Sequence, residues 1–259
     1  MHLLLSNDDG YLAKGMQVLM NHLKSLGHKI TVVAPNGERS GKSHAMSFYD
    51  PIRVKKISEE IYAVDGTPAD CVALALGQIL KEDRPDFVIS GINHGMNVGI
   101  DVNYSGTVGA ATEAAMIGYK AIAVSADSDN RGGSQAEIDE AFLKAAQLVG
   151  QVIEQSHTLD WPRLEILNIN VPIKARKASI AECGGESLYV PNFDEMIPKD
   201  NKNMKIYLIG GVSRFEPQDM SQDVSLVSSG IITFSFVQAK QSSTKSNKKL
   251  EGFIGNLKI

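Results

Sequence analysis

The sequence predicts an α/β fold: a doubly wound, mainly parallel sheet covered by helices on both faces, followed by a smaller β-rich extension. Three observations carry this. The strand-like runs of the first two-thirds are apolar throughout rather than alternating, as in strands buried on both faces. They alternate with segments whose apolar residues recur at helical spacing, the pattern of repeated βαβ units. Each run also stops in a short polar cluster rich in Gly, Asn, Asp and Ser.

The elements follow in order. Leu3-Leu4-Leu5 reads as a buried strand ending in Ser6-Asn7-Asp8-Asp9-Gly10. Met16, Val18, Leu19, Leu23 and Leu26 form one helical face, stopped by Gly27. Ile30 to Ala34 is a β-branched strand ending at Pro35, and Asn36 to Ser43 is a polar loop. Ile52 to Val54 and Ile61 to Val64 read as a β excursion, and Pro68 opens a helix through Leu80. Phe87-Val88-Ile89 is a strand ending in Ser90-Gly91-Ile92-Asn93, and Thr107 to Met116 is a helix of small residues. Ala121 to Val124, Ala136 to Ile153 and Leu164 to Ile169 read as strand, helix and strand. Residues 1–175 are therefore assigned to one α/β domain. Residues 176–259 lack clear helical periodicity, carry β-like runs such as Ile231 to Val237, and form the extension. Its polar, lysine-rich stretch Gln238 to Lys249 reads as a loop or tail.

Bulk properties exclude several classes. The 259 residues are 43% hydrophobic and 22% charged, ordinary for a globular chain with a sizeable core. The formal net charge of −4 gives no support to a stable nucleic-acid partner. Cys71 and Cys183 form neither a CxxC pair nor a disulfide framework, and read as reduced thiols of a cytoplasmic protein. No apolar run nears the roughly 20 residues of a membrane helix, and no signal-peptide core follows Met1.

In open α/β sheets, ligands bind beyond the carboxyl ends of the strands. The polar residues of this chain collect at that rim. Asp8 and Asp9 follow the first strand, and two adjacent carboxylates repel unless a cation neutralises them. Taken alone, the pair is accounted for better by a helix cap and a solvated side chain; the company of the other rim loops reverses that preference. Ser40, in a glycine-flanked loop, offers a hydroxyl, and Asn93 an amide oxygen; each alone reads as a turn residue. All-oxygen ligands suit Mg²⁺, Mn²⁺ or Ca²⁺ rather than a soft metal. Ser105-Gly106-Thr107 precedes a helix, and a helix N-terminus offers its amides and dipole to an anion. A simple Ser cap explains those residues equally well.

Competing motifs fail on spacing. Gly41-Lys42-Ser43 resembles the end of a P-loop, but the required first glycine would fall on Asn36. No GxGxxG follows the first strand, and no GxSxG appears. None of the six histidines forms HExxH; His44 and His94 fall in rim loops, where a histidine without a catalytic part is the more economical account.

Taken in order, Ser6-Asn7-Asp8-Asp9-Gly10, Ala34-Pro35, Arg39-Ser40-Gly41 with Ser43-His44, Gly66 to Cys71, Ser90-Gly91-Ile92-Asn93 with Gly95 and Asn97, and Tyr104 to Val108 resemble the survival protein SurE family of 5′/3′-nucleotidases. The resemblance covers roughly residues 1 to 125 by motif. It implies a Rossmann-like fold whose C-terminal extension builds homodimers or homotetramers. It implies one divalent ion, Mg²⁺ or Mn²⁺, on Asp8, Asp9, Ser40 and Asn93, and phosphate held by Asn97, Ser105, Gly106 and Thr107. It implies hydrolysis of nucleoside 5′- and 3′-monophosphates, with short polyphosphate a further substrate of some members. The chain departs from the family at Ser47, where Thr is usual, followed by Phe48.

The expected chemistry is metal-assisted in-line attack by water, with Asp8 or Asp9 ligating the ion and the other orienting or deprotonating the water. An aspartyl-phosphate route ranks second, because the D-x-D pattern is absent. The alternative of another class is a nucleotide- or metal-binding regulator without turnover. A zinc deacetylase would want histidine ligands, which this rim lacks.

Overall fold

A computed structural model describes residues 1–127, 133–196, 204–213 and 219–239. Its centre is β1 (His2–Ser6), buried at every position. β1 pairs in parallel with β2 (Lys29–Pro35) on one side and β5 (Phe87–His94) on the other. Successive side chains of a strand point to opposite faces. Leu3 and Leu5 accordingly join one apolar cluster and Leu4 the other, which is why the run carries no polar alternation.

The described residues build a nine-stranded sheet of order β3-β4-β2-β1-β5-β6-β7-β11-β8. Its remaining strands are β3 (Val54–Lys56), β4 (Ile61–Val64), β6 (Lys120–Ala126), β7 (Glu165–Val171), β8 (Lys177–Ile180) and β11 (Ile231–Gln238). Only β3 against β4 and β11 against β7 run antiparallel. The chain winds outward from β1 in one direction through β2 and in the other through β5, so the switch point of this sheet lies at the carboxyl ends of β1 and β5.

Helices cover both faces. On one lie α1 (Lys14–Ser25) and α4 (Gln135–Glu154), burying Met16, Leu19, Leu23, Phe142 and Val149 against Leu3, Ile89 and Ile122. Gly27, at φ +82°, ends the turn after α1 as the sequence predicts. On the other face lie α2 (Pro68–Leu74), continued by a π turn to Ile79, and α3 (Gly106–Ile117). There Val72, Ala110 and Ala111 meet Leu4, Val33 and Val88. Full burial of each such leucine contributes up to about 1.5–3 kcal/mol.

Two elements differ from the sequence expectation. β5 continues through the polar Ser90 to His94, read from sequence as loop. It does so because Ile92 is fully buried and the register against β6 slips between Ser90 and Asn93. The short helix α5 (Asp223–Ser228) was not expected; at six residues it is too brief to show a period. Beyond residue 175, β8 and β11 complete the edge of the main sheet, while β9 (Tyr189–Met196) and β10 (Ile206–Ser213) form a separate antiparallel ribbon. The tail expected from Gln238 to Lys249 lies, after Ala239, outside the described residues. Among the described residues no helix is long and apolar enough to cross a membrane, and Cys71 and Cys183 are both free thiols.

Candidate active site

The site is assembled where β1 and β5 end. The chain leaves β1 through Asn7, whose side chain closes a tight turn: Gly10 N donates to Asn7 Oδ1 at 3.1 Å and Asn7 Nδ2 donates to Gly10 O at 3.0 Å. This turn places Asp8 against the first turn of α3. Thr107 Oγ1 donates a short hydrogen bond to Asp8 Oδ1. Gly106 makes the approach possible, since a Cβ there would lie 2.9 Å from the Asp8 Cβ and 3.0 Å from its Oδ2.

Asp8 is 4% exposed. Burial pushes its pKa up to about 6, against the hydrogen bond from Thr107, with the charge of Asp9 adding to the rise. Asp9 is pushed up as well, by burial first, with His94 opposing. Its Oδ2 accepts from His94 N at 3.3 Å. Among the described residues neither carboxylate forms an ion pair with lysine or arginine.

Two neighbouring loops complete the polar end. Arg39 N donates to Asp8 O at 2.6 Å, which draws the Asn36–Ser43 loop over β1 and brings Ser40 to the site. Ser43 N donates to Tyr104 O at 3.0 Å and Ser43 Oγ to Asn103 O at 2.6 Å, tying that loop to the turn before α3. On β5, Asn93 Nδ2 donates to Gly95 O at 2.8 Å, which orients the side chain and leaves Oδ1 available as a ligand. At α3, Ser105 caps the helix by accepting from Val108 N at 3.1 Å. The amides of Gly106 and Thr107 remain available in a first turn that has no intrahelical acceptors for them.

These elements open onto a cavity of about 830 Å³. Of the residues singled out from sequence, Asp8, Ser40, Asn93, Asn97 and Ser105 line it. Asp9, Gly106 and Thr107 do not; they stand directly behind, Asp9 against His94 and the other two against Asp8. His94 lines the cavity and packs edge-on to Phe142, whereas His44 turns away to pair with Glu113 at 2.7 Å. Ser47 lies outside the cavity and donates to Asp70 Oδ2 at 2.7 Å, so its departure from the family pattern touches the α2 cap.

The far wall of the cavity is not among the sites expected from the sequence. Ile100, Tyr104, Tyr189, Pro191, Phe193 and Ile209 make it apolar and aromatic. The available signal was the period-two spacing of Tyr189, Pro191 and Phe193, which places all three on one face of β9. Asp101 fixes that wall to the polar end: its Oδ2 accepts from Leu188 N at 2.7 Å and its Oδ1 from Ser187 Oγ. Asp223 does the same from α5, accepting from Gly99 N at 3.1 Å and Gly184 N at 2.9 Å.

The donor set fits a hard divalent cation. It offers the buried carboxylate of Asp8 and the half-buried one of Asp9, neither paired with lysine or arginine among the described residues, plus one hydroxyl and one amide oxygen. Among the described residues no group of three or more His, Cys, Asp or Glu could hold a metal, so an ion here would need those neutral oxygens beside the carboxylates.

Comparison with known proteins gives a consistent result. The model of the family described as survival protein SurE matches residues 3–187. A curated relative named 5′-nucleotidase SurE, from Thermoanaerobacter sp. (strain X514), is 41% identical over 246 residues, covering 90% of each chain. Another of the same name, from Caldanaerobacter subterraneus subsp. tengcongensis, is 36% identical over 259 residues and covers 96% of each. A crystal structure of the SurE protein from Aquifex aeolicus superposes with a TM-score of 0.82 at 31% identity, covering 98% of this chain and 100% of that one.

Proposed function

The chain belongs to the survival protein SurE family, and from that premise we propose that it is a divalent-metal-dependent nucleotidase. It hydrolyses nucleoside 5′- and 3′-monophosphates to nucleoside and phosphate, with short polyphosphate as a further substrate. One observation carries the reading: buried, uncompensated Asp8 lies at the sheet's switch point beside the N-terminus of α3, at one end of a cavity whose other end is aromatic. That polarity matches a nucleotide, anionic at one end and ring-like at the other.

Asp8, Asp9, Ser40 and Asn93 would hold one Mg²⁺ or Mn²⁺. The chemistry such an ion would supply is polarisation of a phosphoryl oxygen and activation of water. Asn97, Ser105 and the amides of Gly106 and Thr107 receive the phosphoryl oxygens and stabilise the charge that develops on them. Thr107, by donating to Asp8, fixes which carboxylate oxygen faces the cavity. Tyr104, Tyr189 and Phe193 give the base an apolar wall. The wall carries few groups to read base edges, which favours breadth over discrimination among bases. A cytoplasmic location, and a homodimer or homotetramer built through residues 176–259, belong to the same reading.

The test is phosphate release from a panel of 5′- and 3′-nucleoside monophosphates and tripolyphosphate, with Mn²⁺ or Mg²⁺ and again with EDTA. Release that EDTA abolishes is expected. A folded sample that releases none with any metal would move the non-catalytic nucleotide-binding regulator to the front.

A further inference from the structure

Asn97 sits outside any strand, yet its peptide groups are paired as if a strand lay beside it. Asn97 N donates to Asn170 Oδ1 at 2.8 Å, and Asn170 Nδ2 donates back to Asn97 O at 3.0 Å. Asn168 Nδ2 donates to the same carbonyl at 2.8 Å. The side chain of Asn97 is held from a third strand position, its Nδ2 donating to Ser125 Oγ at 2.8 Å. A primary amide has two hydrogens, so the second remains for a phosphoryl oxygen in the cavity that Asn97 lines.

The partners form a polar band inside the sheet. Asn168 and Asn170 lie two positions apart on β7 and so share a face. Ser125 of β6 is the register partner of Asn170; on β11, Thr233 is opposite Asn170 and Ser235 opposite Asn168. All of them are buried, and Asn168 Oδ1, Thr233 Oγ1 and Ser235 Oγ have no hydrogen-bond partner among the described residues. Burying polar atoms without partners costs stability, and apolar residues would fill the same strands without that cost. The band therefore has no explanation in stability, while Asn97, the residue whose peptide N–H and C=O it pairs, lines the cavity.

We propose that Asn168 and Asn170 are positioning residues for phosphate recognition. They clamp the peptide of Asn97 so that its side chain meets the phosphoryl group in one fixed geometry. The proposal rests on the nucleotidase reading for the identity of the ligand and stands apart from it in its readouts. A misplacement of about 1 Å in such a group costs on the order of a hundredfold in rate.

The full chain is compared with Asn170→Leu, Asn168→Leu and Ser125→Ala. Three quantities are measured: amide exchange of a peptide spanning residues 95–98, calorimetric affinity for inorganic phosphate with Mn²⁺ present, and kcat and KM for a nucleoside monophosphate. Asn170→Leu is expected to speed that exchange at least tenfold, weaken phosphate binding about tenfold and lower kcat/KM about a hundredfold. Asn168→Leu leaves one donor on the Asn97 carbonyl and should give a smaller loss of the same kind. Ser125→Ala should lower kcat/KM with exchange unchanged, because it frees only the side chain. This ordering is what a merely structural role would not produce. Folded Asn170→Leu with wild-type exchange and phosphate affinity overturns the proposal. If that variant does not fold, the same wild-type values in Asn168→Leu overturn it. Absence of turnover in the wild-type chain sinks the nucleotidase reading, while the clamp is still decided by exchange and phosphate binding.

Discussion

Between Asp8 and the start of α3 there is no room for a side chain at position 106. A Cβ on Gly106 would also lie 3.1 Å from Pro68 Cγ, so it is hemmed in from two directions. Gly106→Ala is therefore expected to push Asp8 and the helix terminus apart. Stability should fall by about 1–3 kcal/mol, as for other overpacked sites, and kcat/KM by more than tenfold, read by thermal unfolding and phosphate release. Asp8→Asn keeps the shape and removes the charge. It should relieve the cost of a buried carboxylate, raising the apo protein's melting temperature or leaving it unchanged, while turnover falls at least a thousandfold. Activity within a few-fold of wild type would refute the role of Asp8. Both residues were legible in the sequence only through their company. Asp8-Asp9 alone reads as a cap, and Ser105 does in fact cap α3 while also lining the cavity. The choice between cap and ligand depends on which loops share one rim, and that is a property of the topology.

Elements were legible wherever their period was strong. α1 and α4 present one apolar face each, and the sequence places them to within two residues. β5 was truncated because Ser90-Gly91-Ile92-Asn93 has the composition of a turn. Gly91 is there for another reason: at φ +138° its missing Cβ would fall 2.2 Å from Val124 O, so the strand can press against β6. The start of α2 shows a local signal working as expected. Thr67 and Asp70 form a reciprocal capping box behind Pro68, and Ser47 N adds a third donor to the Asp70 carboxylate at 2.8 Å. Burial alone would raise the pKa of Asp70, but the hydrogen bonds from Ser47 and Thr67 outweigh it and hold the pKa below the usual carboxylate range. A depressed folded pKa means that the unfolded chain binds the proton first as pH falls. The stabilisation is therefore complete above the ordinary carboxylate pKa of about 4 and is lost as pH drops through the lower folded value. Asp70→Asn should flatten the acid limb of a stability–pH curve below about pH 4. It should also cost on the order of 1–3 kcal/mol at neutral pH by leaving buried donors poorly paired.

Across the whole molecule, the cavity joins two parts of the chain that the sequence treats differently. The polar end comes from residues before 110, where ordered motifs carry the resemblance; the aromatic end comes largely from β9 and β10, where none does. An apolar wall needs only size and spacing, which many sequences supply, so it leaves little signature. A buried carboxylate such as Asp8 and a close-packed glycine such as Gly106 tolerate few replacements and leave a strong one. The two ends are coupled through the half-buried Asp101 and the buried Asp223, carboxylates whose partners are reached only after the fold is known. Phe193→Ala is expected to raise KM for nucleoside monophosphates about tenfold, the lower range for a lost stacking contact, and to leave ribose 5-phosphate hydrolysis unchanged. Equal losses on both substrates would show that β9 shapes the phosphate end as well.

In the proposed function Asp8 is a ligand to a single catalytic ion. The most direct measurement is Mn²⁺ binding followed on the same samples as turnover, for the wild-type chain and Asp8→Asn. One ion per wild-type chain, with binding and phosphate release lost together in Asp8→Asn, is the predicted result. An Asp8→Asn protein that binds Mn²⁺ normally and releases phosphate at close to the wild-type rate would contradict it.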